Sequence, residues 1–125
     1  MSIRPIKPKD HATIAQWYRE RGQVMPHPSS LSATGFICDE RVALWLYLTN
    51  SNLAFIEGVI SSPNTTKSLR KQSFNKLIGF SVDFCLAAGY TQILGITKHP
   101  SVKEIGKRYG FKILKEHQVL YLNAD

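Results

Sequence analysis

The sequence contains little cysteine. Cys38 and Cys85 are its only two cysteines, and they lie far apart, with no CxxC spacing and no histidine cluster beside them. Two residues are too few for a disulfide-rich scaffold, which is therefore excluded. We expect both thiols to be reduced and packed in the interior.

Long apolar runs are also missing. The longest runs, such as Val42 to Leu48, have too few residues to cross a bilayer. The first residues, Met1 to Pro5, lack the apolar core that a secretory signal needs, and the charged residues Lys9 and Asp10 follow soon afterwards. These absences predict a protein that does not associate with membranes and stays in the cytoplasm.

Acidic residues are in the minority. The chain has 16 Lys and Arg residues against 9 Asp and Glu residues, which gives a formal net charge of +7. Such a surface favours anions, whether these belong to nucleic acid, to membrane phosphates or to a phosphorylated cofactor. The charge alone does not choose among the three.

Apolar residues are present in ordinary amount. The composition is 43% hydrophobic and 20% charged, which is typical of a globular protein with a packed core and unlike a disordered chain. A length of 125 residues suits one such core. We therefore predict a single domain over residues 1–125.

Hydrophobic periodicity and turn residues divide the chain into strands and helices. The predicted elements are strands over 3–6, 35–38, 42–48, 53–60, 91–97 and 112–122 and helices over 11–21, 67–88 and 101–108. Because a helix connects strands 53–60 and 91–97, these two should be parallel. The pattern predicts an α/β fold with a mixed sheet and flanking helices. The loop Pro26 to Ser30 is expected to line or cover a cleft.

The strongest candidate site is the junction where strand 53–60 leads into helix 67–88. The first N–H groups of a helix have no intrahelical partner, and the helix dipole adds partial positive charge there. Lys67, Arg70 and Lys71 place three cations on one face of the first turn and a half. These cations oppose the dipole unless an anion is bound, so we predict a pyrophosphate site. A solvated helix face is the alternative.

Glu57 is the second candidate, because it is a lone carboxylate in an otherwise apolar strand. Partial burial would raise its pKa, and a base that titrates near neutrality is what amine deprotonation requires. By strand alternation, Phe55, Val59 and Ser61 are expected on the same face. The alternative is a glutamate that reaches the sheet edge or pairs with an arginine.

Other reactive residue types are weaker evidence. The four histidines, His11, His27, His99 and His117, have spacings that match no metal motif, so solvated or structural roles are expected and no metal site is predicted. The serines of the loop Pro26 to Ser30 lack a GxSxG context, so the sequence gives little support to a serine hydrolase.

With these residues identified, nearly the whole chain resembles the GNAT N-acetyltransferase superfamily, and in particular the compact GNAT-like proteins of bacteriophages. In that family, a strand with a frequent Glu leads to a Pro and to a pyrophosphate loop of the form [QR]-x-x-G-x-[GA]. Glu57 and Pro63 keep that spacing, and the loop falls on residues 66–71. Lys67, Leu69 and Lys71 stand where the family has small residues.

The resemblance implies acetyl-CoA as acyl donor and Glu57 as the catalytic base. A strand N–H near Ile60 or Ser61 would polarise the thioester carbonyl. The cofactor-binding residues that it implies are Val59, Ile60, Ser61, Thr66, Lys67, Ser68, Leu69, Arg70 and Lys71.

A second family segment, N-x-x-A-x-x-[FL]-Y-x-x-x-G-F, is similar to residues 99–111. The final Gly110-Phe111 pair is kept. Gly106 stands in the place of the tyrosine that often protonates the departing thiolate, and Tyr109 lies about one turn further on.

Two functional hypotheses follow. The first is an acetyl-CoA-dependent N-acyltransferase that acts by direct amine attack, with an amine-bearing small molecule or protein as acceptor. The second is a GNAT fold without catalysis, which binds nucleic acid or a protein partner through its basic surface, in the host cytoplasm or in a virion if the gene is of phage origin. The oligomeric state stays open.

Overall fold

The computed structural model describes residues 2–97 and 99–124. Met1, Lys98 and Asp125, which the predicted domain of residues 1–125 includes, lie outside the described residues. The elements are β1 (Ile3–Pro5), α1 (His11–Glu20), β2 (Gly35–Cys38), β3 (Val42–Leu48), β4 (Leu53–Ser61), α2 (Lys67–Ala87), β5 (Gln92–Gly95) and α3 (Pro100–Arg108), with 3-10 turns at Pro8–Asp10 and Pro28–Ser30. None of the helices within the described ranges is long and apolar enough to span a membrane.

The described strands form one mixed sheet in the order β1-β2-β3-β4-β5. Neighbours from β1 to β4 are antiparallel, whereas β4 and β5 are parallel. The predicted α/β fold with a mixed sheet and the predicted parallel pair are therefore confirmed, and β4 lies inside the sheet. Helix α1 packs on one face of the sheet, where Ile14, Trp17 and Trp45 belong to one core cluster. Helices α2 and α3 pack on the other face, where Leu77 and Ile105 belong to the second cluster.

The start of α1 differs in detail from what its sequence suggests. Asp10 precedes the helix as a cap residue would, but its carboxylate makes no capping bond. It accepts hydrogen bonds from the Lys7 N–H (2.8 Å) and from both Arg4 Nη atoms (2.9 Å each). The bond from Arg4 lowers the pKa of Asp10 to about 2, so this carboxylate stays charged and ties α1 to β1.

The predicted last strand over 112–122 is wrong. From Lys112 onward the described chain has no strand, and Leu120 and Leu122 are 95% and 87% exposed. An apolar alternation forms a strand only when a neighbouring strand supplies hydrogen bonds. Within the described residues β5 is an edge strand that pairs with β4 alone, and segment 112–122 does not pair with its open edge.

A bulge in β4 changes the face of the sheet on which the following side chains lie. Trp45 lies opposite Glu57, and Ala43 lies opposite Ile60, so three steps along β4 match two along β3. Beyond the bulge, Ile60 packs on the α1 face and Val59 on the α2 face. The expectation that Val59 shares the face of Glu57 is therefore wrong, because an inserted residue changes the period-two alternation.

Gly58 makes this bulge possible. Its φ of +67° lies in the left-handed region, and a Cβ there would meet the Trp45 ring at 2.8 Å. We expect Gly58→Ala to lower the free energy of unfolding by about 2–5 kcal/mol, from backbone strain plus overpacking. Gly22→Ala is the matched control: its φ is +69° but nothing lies within 4 Å of its Cβ, so it should cost about 1–2 kcal/mol. Urea unfolding compares the two, and equal losses would contradict the packing argument.

Candidate functional site

Strand β4 continues beyond the point where β5 ends. The parallel ladder stops at Ile56 opposite Gly95, while β4 runs on to Ser61. The edge of β4 from Glu57 to Ser61 therefore has no β5 partner among the described residues. No neighbouring strand pairs with this edge among the described residues, so backbone groups there that have no other partner can bind a ligand.

A cleft of about 330 Å³ lies at this end of β4, beside the start of α2. Its basic lining residues are Arg21, Lys67, Arg70 and Lys71. Its apolar lining residues are Val42, Val59, Ile60, Phe74, Val102 and Ile105, joined by Gln23, Ser61, His99 and Ser101. Within the described part of the chain no carboxylate lines it, so the four cations have no counterion there.

The start of α2 leaves backbone donors facing outward. Thr66 is the N-cap, and its Oγ1 accepts a hydrogen bond from the Leu69 N–H at 3.2 Å. The N–H groups of Lys67 and Ser68 come before the first intrahelical bond, so helix geometry assigns them no partner. The first turn has no acidic residue, and Arg70 donates to the carbonyl oxygen of Thr65. This end of the helix is an electropositive site suited to an anion.

Arg21 is a fourth cation that sequence reasoning missed. Its Nε donates to the Ser61 carbonyl and its Nη2 to the Ser61 Oγ, both at 2.8 Å. Burial, and then the charge of Arg70, lower the pKa of Arg21. The smaller of these two effects shows that Arg21 and Arg70 lie close enough for their like charges to repel. No local pattern could have identified Arg21, because only the fold brings the end of α1 against the end of β4.

The predicted cofactor residues divide into two groups. Those that line the cleft are Val59, Ile60, Ser61, Lys67, Arg70 and Lys71. Those outside its lining are Thr66, Ser68 and Leu69. Helical spacing explains the division within α2, because positions i, i+3 and i+4 share a face and i+1 and i+2 turn away. His99, expected to be solvated or structural, is exposed and lies on the cleft.

Glu57 lies in a different pocket, of about 370 Å³. The other residues that line it are Pro26, Leu31, Trp45, Tyr47, Phe55 and Gly58. Pro26 belongs to the loop that was expected to line a cleft. Burial raises the pKa of Glu57, as predicted, and no hydrogen bond or ion pair reaches its carboxylate from the described residues. The alternative of an arginine pair thus finds no support in the described part of the chain.

The two sites meet at the bulge. The hydroxyl of Tyr18, from α1, donates a 3.0 Å hydrogen bond to the carbonyl oxygen of Gly58. Burial, with smaller contributions from Tyr47 and Glu57, raises the pKa of Tyr18 to about 12, so the phenol keeps its proton and its role as donor. The bulge therefore holds Glu57 on one side and Val59 with the basic cleft on the other.

Tyr109, the residue directly after α3, lies outside the lining of the cleft. The Tyr109 hydroxyl donates to the Asn75 carbonyl at 2.9 Å, and the ring lies against Gly79, where an added Cβ would approach the hydroxyl to 2.9 Å. Gly106 packs near Phe111. Tyr109 thus joins the end of α3 to α2 and does not line the cleft.

Solved structures of low sequence identity share this fold. A putative acetyltransferase from Agrobacterium tumefaciens is 15% identical with a TM-score of 0.67, and 98% of this chain aligns with 99% of it. An acetyltransferase from Trypanosoma brucei is 14% identical with a TM-score of 0.68 (97% and 99% covered). A GNAT family acetyltransferase from Streptococcus pneumoniae is 13% identical with a TM-score of 0.65 (99% and 98% covered).

No family model and no curated protein sequence matches the chain. At these identities the structural likeness establishes the fold, which is that of GNAT acetyltransferases, as the motif resemblance implied. The specific resemblance to bacteriophage proteins, and with it the virion hypothesis, gains no support from these structures.

Proposed function

We propose that the chain is an acetyl-CoA-dependent N-acyltransferase. The observation that carries the proposal is the basic cleft at the free edge of β4, where four cations and the start of α2 converge without a carboxylate among the described lining residues. Glu57 lies just across the bulge, in a pocket of its own. The anion site and the general base lie on either side of the part of β4 that has no β5 partner. This arrangement suits the transfer of an acyl group to an amine.

The donor set of the cleft fits a pyrophosphate. Lys67 and Lys71 contribute point charges, Arg70 and Arg21 contribute guanidinium groups, and the backbone N–H groups of the α2 start add further donors. Family members use small residues here so that the backbone can approach the phosphates closely. In this chain the long side chains of Lys67 and Lys71 take over part of that contact.

Bound acetyl-CoA supplies an activated acetyl thioester. Glu57 accepts a proton from the acceptor ammonium, directly or through one water, and the free amine then forms the new C–N bond as the C–S bond breaks. The nitrogen loses its second proton to water as the amide forms. An N–H of the unpaired edge of β4, near Ile60 or Ser61, orients the thioester carbonyl. A thiol with a pKa of about 8.5 leaves readily near neutral pH and takes its proton from water, so the place of Gly106 needs no tyrosine.

Acetyl-CoA is expected to raise the melting temperature. At a concentration about 100 times its Kd, it adds about 2.7 kcal/mol to the free energy of unfolding, which corresponds to a shift of several degrees. Thermal unfolding with acetyl-CoA, with pantetheine and with a short DNA duplex measures this effect. Pantetheine lacks the pyrophosphate and should stabilise far less. No shift with millimolar acetyl-CoA, or a larger shift with DNA, would contradict the proposal.

A further inference from the structure

Glu57 is surrounded by aromatic side chains on its own face of the sheet. Trp45 lies directly opposite it on β3, and Tyr47 lies opposite Phe55 in the next pair of the same face. Side chains of directly opposed residues stand about 5 Å apart in an antiparallel ladder. Among the described residues that line this pocket, Glu57 is the single charged one, and it lies beside Trp45, Tyr47 and Phe55.

The loop before β2 closes one side of this patch. The Tyr47 hydroxyl donates a 3.1 Å hydrogen bond to the Ser30 carbonyl, and the Ser32 hydroxyl donates at 2.6 Å to the Leu46 carbonyl. These two bonds tie the loop to β3, and Pro26 and Leu31 complete the apolar lining. The pocket thus has an aromatic floor and an aliphatic wall.

The charge of this pocket is opposite to that of the protein. The chain carries a net charge of +7, yet no Lys, Arg or His lines this pocket within the described residues. The four cations of the basic cleft lie beyond the bulge. A ligand with a positive group meets Glu57 beside the aromatic side chains of Tyr47 and Phe55, whereas one with a negative group meets an unpaired carboxylate and no counterion among the described lining residues.

From this arrangement we infer that the acceptor is a small primary amine with an apolar or aromatic body and no anionic group. The inference rests on the proposed function and specifies its substrate class. The ammonium lies at Glu57, and the body packs on Tyr47 and Phe55, beside the buried Trp45. A volume of about 370 Å³ is at the lower end of small-molecule sites, which suits a ligand the size of 2-phenylethylamine.

Three amines of matched size or charge test the inference. They are 2-phenylethylamine; phenylalanine, which adds a carboxylate; and ethanolamine, which lacks the apolar body. With saturating acetyl-CoA, thiol release should give a kcat/KM for 2-phenylethylamine at least 10-fold above that of the other two. Equal or higher values for phenylalanine or ethanolamine, or for a peptide amino terminus, would overturn the inference.

Variants locate the effect in the pocket. Phe55→Ala should raise the KM for 2-phenylethylamine about 10-fold while changing the KM for ethanolamine little, because ethanolamine has no body to pack there. Tyr121→Ala removes an aromatic ring that is 84% exposed and outside the pocket, and should leave both values unchanged. A loss of the same size for both amines in Phe55→Ala would contradict the assigned packing.

Direct binding separates this inference from the proposed function. Calorimetry of 2-phenylethylamine with the acetyl-CoA-free protein should detect binding that weakens at least 10-fold in Phe55→Ala. Such binding supports the pocket even if acetyl-CoA fails to stabilise the protein, a result that would reject the acyltransferase alone. Stabilisation by acetyl-CoA without any binding or turnover of 2-phenylethylamine would overturn the acceptor class and leave the acyltransferase in place.

Discussion

Glu57→Gln is expected to lower kcat by about 10²- to 10⁴-fold, the usual contribution of a general base. The amide keeps the size of the side chain but cannot accept the proton of the acceptor ammonium. The measurement is thiol release under saturating acetyl-CoA and amine. Unchanged turnover in Glu57→Gln would remove Glu57 from its catalytic role.

The pH dependence follows from the burial of Glu57. Because burial raises its pKa above the ordinary value of 4.5, the wild-type rate should rise with pH through that raised pKa as the carboxylate forms. Glu57→Gln should lose this inflection. A wild-type profile without it would contradict the assignment even if the rate of the variant fell.

Stability provides the folding control for the same variant. A raised native pKa means that the contribution of Glu57 to stability is fully present below its unfolded-state pKa and is lost as the pH rises through the native value. Above that native pKa the wild type carries a half-buried charge that the neutral amide avoids. Glu57→Gln should unfold no more easily than the wild type there, so a lower melting temperature would point to a structural cause for lost turnover.

The double variant Lys67→Ala with Arg70→Ala is expected to weaken acetyl-CoA binding by at least about 100-fold. Two charge-assisted hydrogen bonds to phosphate contribute about 1.5–3 kcal/mol each, and a tenfold change in Kd corresponds to about 1.4 kcal/mol. The stabilisation by a fixed concentration of acetyl-CoA should then nearly disappear. Thermal unfolding with and without the ligand measures it.

Lys103→Ala with Lys107→Ala is the control for charge. Both lysines are exposed on α3 and do not line the basic cleft, so their removal reduces the net charge equally while leaving the site intact. Because Arg70 also donates to the Thr65 carbonyl, the quantity to compare is the increment caused by ligand, not the melting temperature itself. Equal losses of the increment in the two double variants would mean that net charge, and not the site, attracts the ligand.

Local patterns were sufficient for most of the fold. Apolar positions at helical spacing predicted α2 over 67–88, and the structure has Lys67–Ala87, with Phe74, Leu77, Ile78 and Cys85 buried and Thr66 as the cap. The βαβ connection likewise predicted the parallel pairing of β4 and β5. Segment 112–122 has a comparable alternation but forms no strand, since a strand depends on a partner that its own residues do not specify.

The candidate site could be predicted only in part from local sequence patterns. Lys67, Arg70 and Lys71 could be assigned to one helical face from their spacing, and Glu57 to a partly buried position from the apolar residues around it. Arg21 could not be assigned to the site from the sequence, because it lies at the end of α1, 40 residues before its partner Ser61. The separation of Glu57 from Val59 onto opposite faces was also hidden, because a bulge depends on how β4 registers with β3.

The sequence by itself thus determined the element order, the basic start of α2 and the lone carboxylate of β4, since periodicity, capping and charge spacing act over a few residues. Tertiary structure alone decided that β4 continues beyond the end of β5 and that Tyr18 forms a hydrogen bond with the bulge at Gly58. It also decided that a basic cleft and an aromatic pocket lie on either side of this bulge. These features arise from pairing register and from contacts between distant segments. No local property of the chain encodes them.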